Sequence, residues 1–306
     1  MRKVNADSPF GENIFMSIAI VTDSNCGITV KQAEELGIEI QPTPLIINGE
    51  MHFEEEGFTQ EQFYDALTDD KTTVATPQPN PYDVAERWRR LLKTHDEIIY
   101  LPISSGLSQT ALTIKNMAET EPEFKGKVYA LDNHRVSLTQ KTTVFDCLKM
   151  IKEGKTAKQI YDWLNETAKL SSIYIAVATL KFLKKSGRLT PAVAAIGTLL
   201  KIKPVLQIQG QVLDKYAQVR KMSDAKKTMI DALRNDLETR FKEYRQKGKM
   251  VIGVAHTQCF EEAQKFAEEL KAEFPDCELR YVDPLSLSVA IHIGPGALAC
   301  GCSVVY

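Results

Sequence analysis

The chain has 306 residues and a net charge of −2, with 43% hydrophobic and 25% charged residues. That length fits two average domains, with enough apolar residues for a core able to enclose a ligand. The balanced charge gives no overall basic field for nucleic acid, and no apolar run approaches the roughly 20 residues of a membrane span.

The first sixteen residues, MRKVNADSPFGENIFM, hold no continuous apolar stretch. They read as a flexible extension (1–16) and not as a secretory signal, so a cytoplasmic location is expected. Six scattered cysteines form no CxxC pair, and five histidines show no HExxH or HxH spacing. Free thiols in a reducing compartment, with no metal or other cofactor, are expected.

Ser17 to Thr22 is an apolar strand, and Asp23-Ser24-Asn25 is the loop at its carboxyl end. Val30 to Leu36 reads as a helix ending at Gly37, followed by an extended run, Ile38 to Ile47, and a hairpin turn at Asn48-Gly49. Thr59 caps a helix with Gln62 in the capping-box position. Thr76 then sits in a loop stiffened by Pro77, Pro79 and Pro81, and a helix runs on to about Leu92. The strand Glu97 to Ile103 meets a tight turn, Ser104-Ser105-Gly106-Leu107-Ser108, and the strand Lys127 to Leu131 meets Asp132-Asn133. Two helices, roughly Leu138 to Lys152 and Ala157 to Lys169, close the first half.

Alternating strands and helices predict an α/β fold, with a parallel sheet covered on both faces by helices in residues 17–171. Ligands of such sheets bind outside the carboxyl ends of the strands, where the three polar loops should converge. Residues 172–306 are expected to form a smaller mixed α/β domain. It begins with a buried strand, Ile173 to Val177, and a short basic helix stopped by Ser186-Gly187. Thr190 and Pro191 then start a helix, Ala192 to Leu200, that is apolar on every face and must be enclosed by protein or by an apolar ligand. A strand from Ile202 to Ile208 pairs back with Gln211 to Val219, and a long helix spans Ser223 to Lys247. A strand at Met250 to His256, a helix at Phe260 to Phe274 and a strand at Glu278 to Val282 lead to the closing SVAIHIGPGALACGCSVVY.

The serine turn offers hydroxyls and helix-end amides to an anion, although serines here also serve as plain caps. His292 precedes Gly294-Pro295-Gly296, whose glycines allow close backbone approach. Arg188 and Arg220 lie in or near turns, where a solvated charge is the ordinary role.

The stretch KKSGRLTPAVAAIGTLLKIKPVL resembles the signature of the DegV family, bacterial fatty-acid-binding proteins. Further family motifs follow in order: Asp23-Ser24, Thr76-Pro77-Gln78-Pro79, Ser104 to Thr110, Val219-Arg220, and His292 to Gly296. Pro77 stands where the family has serine, Gln109 where it has glycine, and Asn133 where it has serine.

The resemblance implies one bound long-chain fatty acid, its carboxylate between the domains at Thr76, Ser104, Ser105 and His292. Its acyl chain would enter an apolar tunnel in the first domain. It further implies a non-catalytic subunit that presents the acid to a separate ATP-dependent fatty acid kinase, feeding phospholipid synthesis. Asp23, Ser24, Arg188 and Arg220 would lie near the carboxylate or the kinase, and peripheral membrane contact fits the ligand. No Walker-type nucleotide loop is visible in the chain itself. Two alternatives stand beside this reading: a serine hydrolase using Ser105, His292 and Asp23, and a binder of another anionic lipid or metabolite.

Overall fold

The computed structural model describes residues 16–57, 59–195, 202–210 and 212–306. Of the expected features, the extension over residues 1–15 and the end of the apolar helix, 196–200, lie outside the described residues.

The first half opens with β1 (Ile18–Asp23), whose last five residues are buried. α1 (Val30–Leu36) begins at a capping box between Thr29 and Gln32 and stops at Gly37, which takes the left-handed conformation that favours glycine. β2 (Glu39–Gln41) follows, then the hairpin β3 (Leu45–Ile47) and β4 (Glu50–His52), turned by Asn48-Gly49 with both φ angles positive. α2 (Gln60–Thr68) starts at the Thr59–Gln62 box, β5 (Val74–Ala75) pairs with β3, and Asn80 caps α3 (Pro81–Leu91). Next come β6 (Glu97–Leu101), α4 (Thr110–Thr120), β7 (Val128–Ala130), α5 (Ser137–Lys152) and α6 (Ala157–Glu166).

Four of these strands form a parallel sheet in the order β2-β1-β6-β7. Its near-continuous apolar strands follow from burial of both faces. Ile20, Ile99 and Leu101 pack on α5 and α6, whereas Ala19, Val21, Ile98 and Tyr100 pack on Val84 and Trp88 of α3 and Ile114 of α4.

The second half comprises β8 (Ser171–Ala176), α7 (Lys181–Lys185), α8 (Pro191–Ala194), β9 (Lys203–Ile208), β10 (Leu213–Val219), α9 (Met222–Glu238) and α10 (Lys242–Gln246). It ends with β11 (Met250–His256), α11 (Phe260–Glu273), β12 (Glu278–Pro284), α12 (Leu287–Ile293) and β13 (Leu298–Val304). Its mixed sheet runs β10-β9-β8-β13-β11-β12, with only β11 and β12 parallel. This sheet has six strands against four in the parallel one, although it belongs to the shorter half of the chain. The expected helix from Ser223 to Lys247 is also interrupted. Phe241 turns into the core after α9 and its amide bonds the Asp236 carbonyl, so the chain leaves the helix axis at Thr239.

The two faces of the mixed sheet have different partners. Tyr174, Ala176 and Val205 meet α9 and α11 on the outside. Ile173, Ile175, Leu206 and Ala299 point inward, into a core shared with Leu45, Phe63 and Leu67 of the first half. α5 lies in this seam, close enough to β13 that a Cβ on Gly301 would sit 3.0 Å from Leu138 and 2.7 Å from the Ser172 carbonyl.

Polar contacts also cross the seam. Lys141 donates to Asp283 at 2.7 Å, and the amide of Leu287, the first residue of α12, donates to Glu54 at 2.8 Å. Among the described residues the second Glu54 oxygen is buried without a partner, and burial raises the pKa of the carboxyl to about 7. An unfolded Glu54 loses its proton near 4.5, so between that pH and about 7 only the folded protein holds it. Stability therefore falls as pH rises through this window, by up to about 3 kcal/mol. Glu54→Gln removes this titration while keeping an acceptor for Leu287. In urea unfolding at about pH 8 the variant is expected to exceed the parent by up to that amount, with the difference vanishing near pH 4.

Candidate functional site

The carboxyl ends of β1, β6 and β7 come together as the parallel sheet requires. Asp23 closes this edge from beneath: its carboxylate accepts from the amide of Ile103 at 2.7 Å, the Gln140 side chain at 2.9 Å and the amide of Asn25 at 3.2 Å. It is fully buried, and desolvation raises its pKa against the lowering effect of these bonds. The amide of Ser104 donates to the Arg135 carbonyl, and that of Ser105 to Asp132 at 3.1 Å, which joins the serine turn to the loop after β7.

Above this edge is a cavity of about 310 Å³ between the halves. Its apolar wall includes Ile103 and Val136 of the first half and Leu183, Ile208, Leu213 and Ile293 of the second. Thus both halves build it. Its polar groups include Thr76, Ser108, Arg188, Ser288 and His292.

Two residues 216 positions apart in the chain meet here: Thr76 Oγ1 and His292 Nε2 are 3.0 Å apart. The proline-bound loop after β5 supplies the threonine, and the last turn of α12 supplies the histidine. Burial, and then the positive charge of Arg188, lower the His292 pKa to about 3. The imidazole is therefore neutral at ordinary pH, with Nδ1 buried and unpartnered among the described residues. Arg188 lines the same cavity, and its guanidinium also donates to the Ser186 carbonyl at 3.0 Å.

The remaining sequence candidates fall into different places. Ser104 is fully buried, and its hydroxyl accepts from the Gly106 amide at 3.3 Å. The cavity wall at this turn is built by Gly106, Leu107 and Ser108, and neither Ser104 nor Ser105 lines it. Ser24 accepts from the Thr43 amide and lines a separate cavity together with Glu54 and Leu287. Arg220 is exposed just past β10. The registers Val219–Lys203, Val205–Ala176 and Ala176–Leu298 put it at the sheet end where α12 feeds β13, three strand spacings or about 14 Å across.

A hydrolase triad of Ser105, His292 and Asp23 is not assembled. Asp23 is engaged by Ile103, Asn25 and Gln140, while His292 meets Thr76 and, among the described residues, has no carboxylate at Nδ1. Sequence reasoning passed over Thr43, Ser288 and Leu213. Ser288 lies one helical turn before His292, so recognition of α12 as a helix would have exposed it.

The low pKa of His292 has a direct consequence. The unfolded ring takes up a proton near 6.5 and the folded one only near 3, so the stability it contributes is lost as pH falls between these values. The His292 ring signals in NMR spectra are expected to stay flat from about pH 8 to about pH 4.

The family model described as "Uncharacterised protein, DegV family" matches residues 17–304. Protein DegV of Bacillus subtilis is 30% identical over 293 residues, which is 94% of this chain and 99% of that one. Its solved structure, named a fatty acid binding protein, matches with a TM-score of 0.77 at 28% identity, over 94% of this chain and 99% of that one. A DegV family protein of Thermus thermophilus, solved in connection with its fatty acid binding, matches with a TM-score of 0.83 at 24% identity, over 95% and 100%, a likeness of fold. Among the described residues no helix is long and apolar enough to cross a membrane, and no cluster of side chains is suited to hold a metal. Matched almost from end to end by its model and its relatives, the chain belongs to the DegV family.

Proposed function

We propose that this protein binds one long-chain fatty acid in the cavity between its halves, with the carboxylate at Thr76 and His292. The observation that carries this reading is the 3.0 Å Thr76–His292 contact at an apolar cavity. A hydroxyl and a neutral ring can replace the water that a buried carboxylate loses, and Arg188 beside them balances its charge. Ser104 and Ser105 hold the turn that places Ser108 and the Gly106 backbone at the head group. The acyl chain lies along Val136, Ile208 and Leu213.

Burying about fifteen methylenes at ~0.8 kcal/mol each gives a gross gain on the order of 12 kcal/mol. Chain ordering and carboxylate desolvation offset part of it. The fatty acid binding of the Bacillus subtilis relative supports the same reading. The protein itself performs no chemistry in this account. It works in the cytoplasm, exchanges its ligand at the membrane surface, and presents the carboxylate to a separate ATP-dependent kinase that makes the acyl phosphate for phospholipid synthesis. Exposed Arg220, at the sheet end that carries His292, suits contact with that kinase or with the developing phosphate; Asp23 and Ser24 act by shaping the floor.

Denaturing extraction of natively purified protein, followed by mass spectrometry, is expected to yield about one fatty acid per chain, and Thr76→Val should weaken binding about tenfold. Absence of lipid together with no uptake of added fatty acid would contradict the proposal. In an assay with the kinase, Arg220→Ala should lower acyl-phosphate formation more than fatty-acid binding, and equal loss of both would count against its assigned role.

A further inference from the structure

We propose that Thr257, which does not line the cavity, is the residue that positions His292 for the carboxylate. The inference rests on the fatty-acid reading of that histidine. A histidine at a binding site is commonly oriented through its second ring nitrogen, by a carboxylate or a carbonyl. His292 has no such anchor, because Nδ1 is buried without a partner among the described residues. Beyond the Thr76 contact at Nε2, its orientation rests on the backbone that follows α12.

Thr257, at the end of β11, is fully buried and engages that backbone four times. Its hydroxyl donates to the Gly294 carbonyl at 2.6 Å and accepts from the Ala297 amide at 2.9 Å. Its own amide donates to the Ala297 carbonyl at 3.0 Å, and its carbonyl accepts from the Gly296 amide at 2.8 Å. The turn cannot relax toward α7: a Cβ on Gly294 would lie 2.0 Å from the Phe182 ring. Gly294 has a φ of 78° and its amide closes α12 on the Ala290 carbonyl, so fixing Gly294 fixes the helical turn that carries His292.

Thr257→Val keeps the shape and removes both hydroxyl bonds, while Thr257→Ser keeps them. With cis-parinaric acid as the fluorescent ligand of delipidated protein, Thr257→Val is expected to bind about tenfold more weakly and Thr257→Ser about as well as the parent. In a His292→Ala background, Thr257→Val should change affinity less than about twofold. Parental affinity in a folded Thr257→Val protein, or the same tenfold loss with and without His292, would overturn the assignment. Should Thr257→Val not fold, Thr257→Cys enters the same cycle with an intermediate loss expected. The His292 ring signals are a separate readout: altered shifts in Thr257→Val support the assignment even in a protein that binds no fatty acid, and unchanged shifts overturn it.

Discussion

Thr76 and His292 are 216 positions apart in sequence and 3.0 Å apart in space. That contact requires both halves to be built and docked first. The parallel sheet ends in loops whose amides are gathered by Asp23 and Asp132, and β5, paired to β3 of the hairpin, leads the chain into the proline-bound loop of Thr76. The mixed sheet contributes α12 between β12 and β13, with the Leu287 amide bonded to Glu54 of the opposite half. A shift of either half along the seam would separate the pair.

The chemistry of the site follows from low polarity more than from charge. A protonated histidine would hold a carboxylate more strongly, but burial beside Arg188 keeps His292 neutral. A neutral donor and a hydroxyl still bond an anion, at less desolvation cost than a second buried cation. Arg188 is half-buried, so solvent screens its field. Such an arrangement suits a ligand that must be held by its tail and offered by its head.

Much of the fold is legible wherever short-range rules decide it. The Asn48-Gly49 hairpin, the Thr59–Gln62 cap and the stop at Gly37 each depend on a few neighbouring residues. α12 is less legible, because Ser288-Val289-Ala290-Ile291-His292-Ile293 is rich in β-branched residues, which weakens its helical signal. Burial of Ala290 and Ile291 and the bond from Leu287 to Glu54 override that preference. β13 carries small residues and takes its place between β8 and β11 only through pairing at long range. For the site, the proline loop and the glycine turn draw attention to Thr76 and His292. Thr43 and Thr257 bear no local signal, since each acts through partners that the fold alone supplies.

The most direct measurement is a crystal structure of this protein grown with a long-chain fatty acid. The account predicts the carboxylate within hydrogen-bond reach of Thr76 Oγ1 and the His292 ring, with the chain along Val136, Ile208 and Leu213. A carboxylate held elsewhere, or side chains filling the cavity in the presence of the acid, would contradict it.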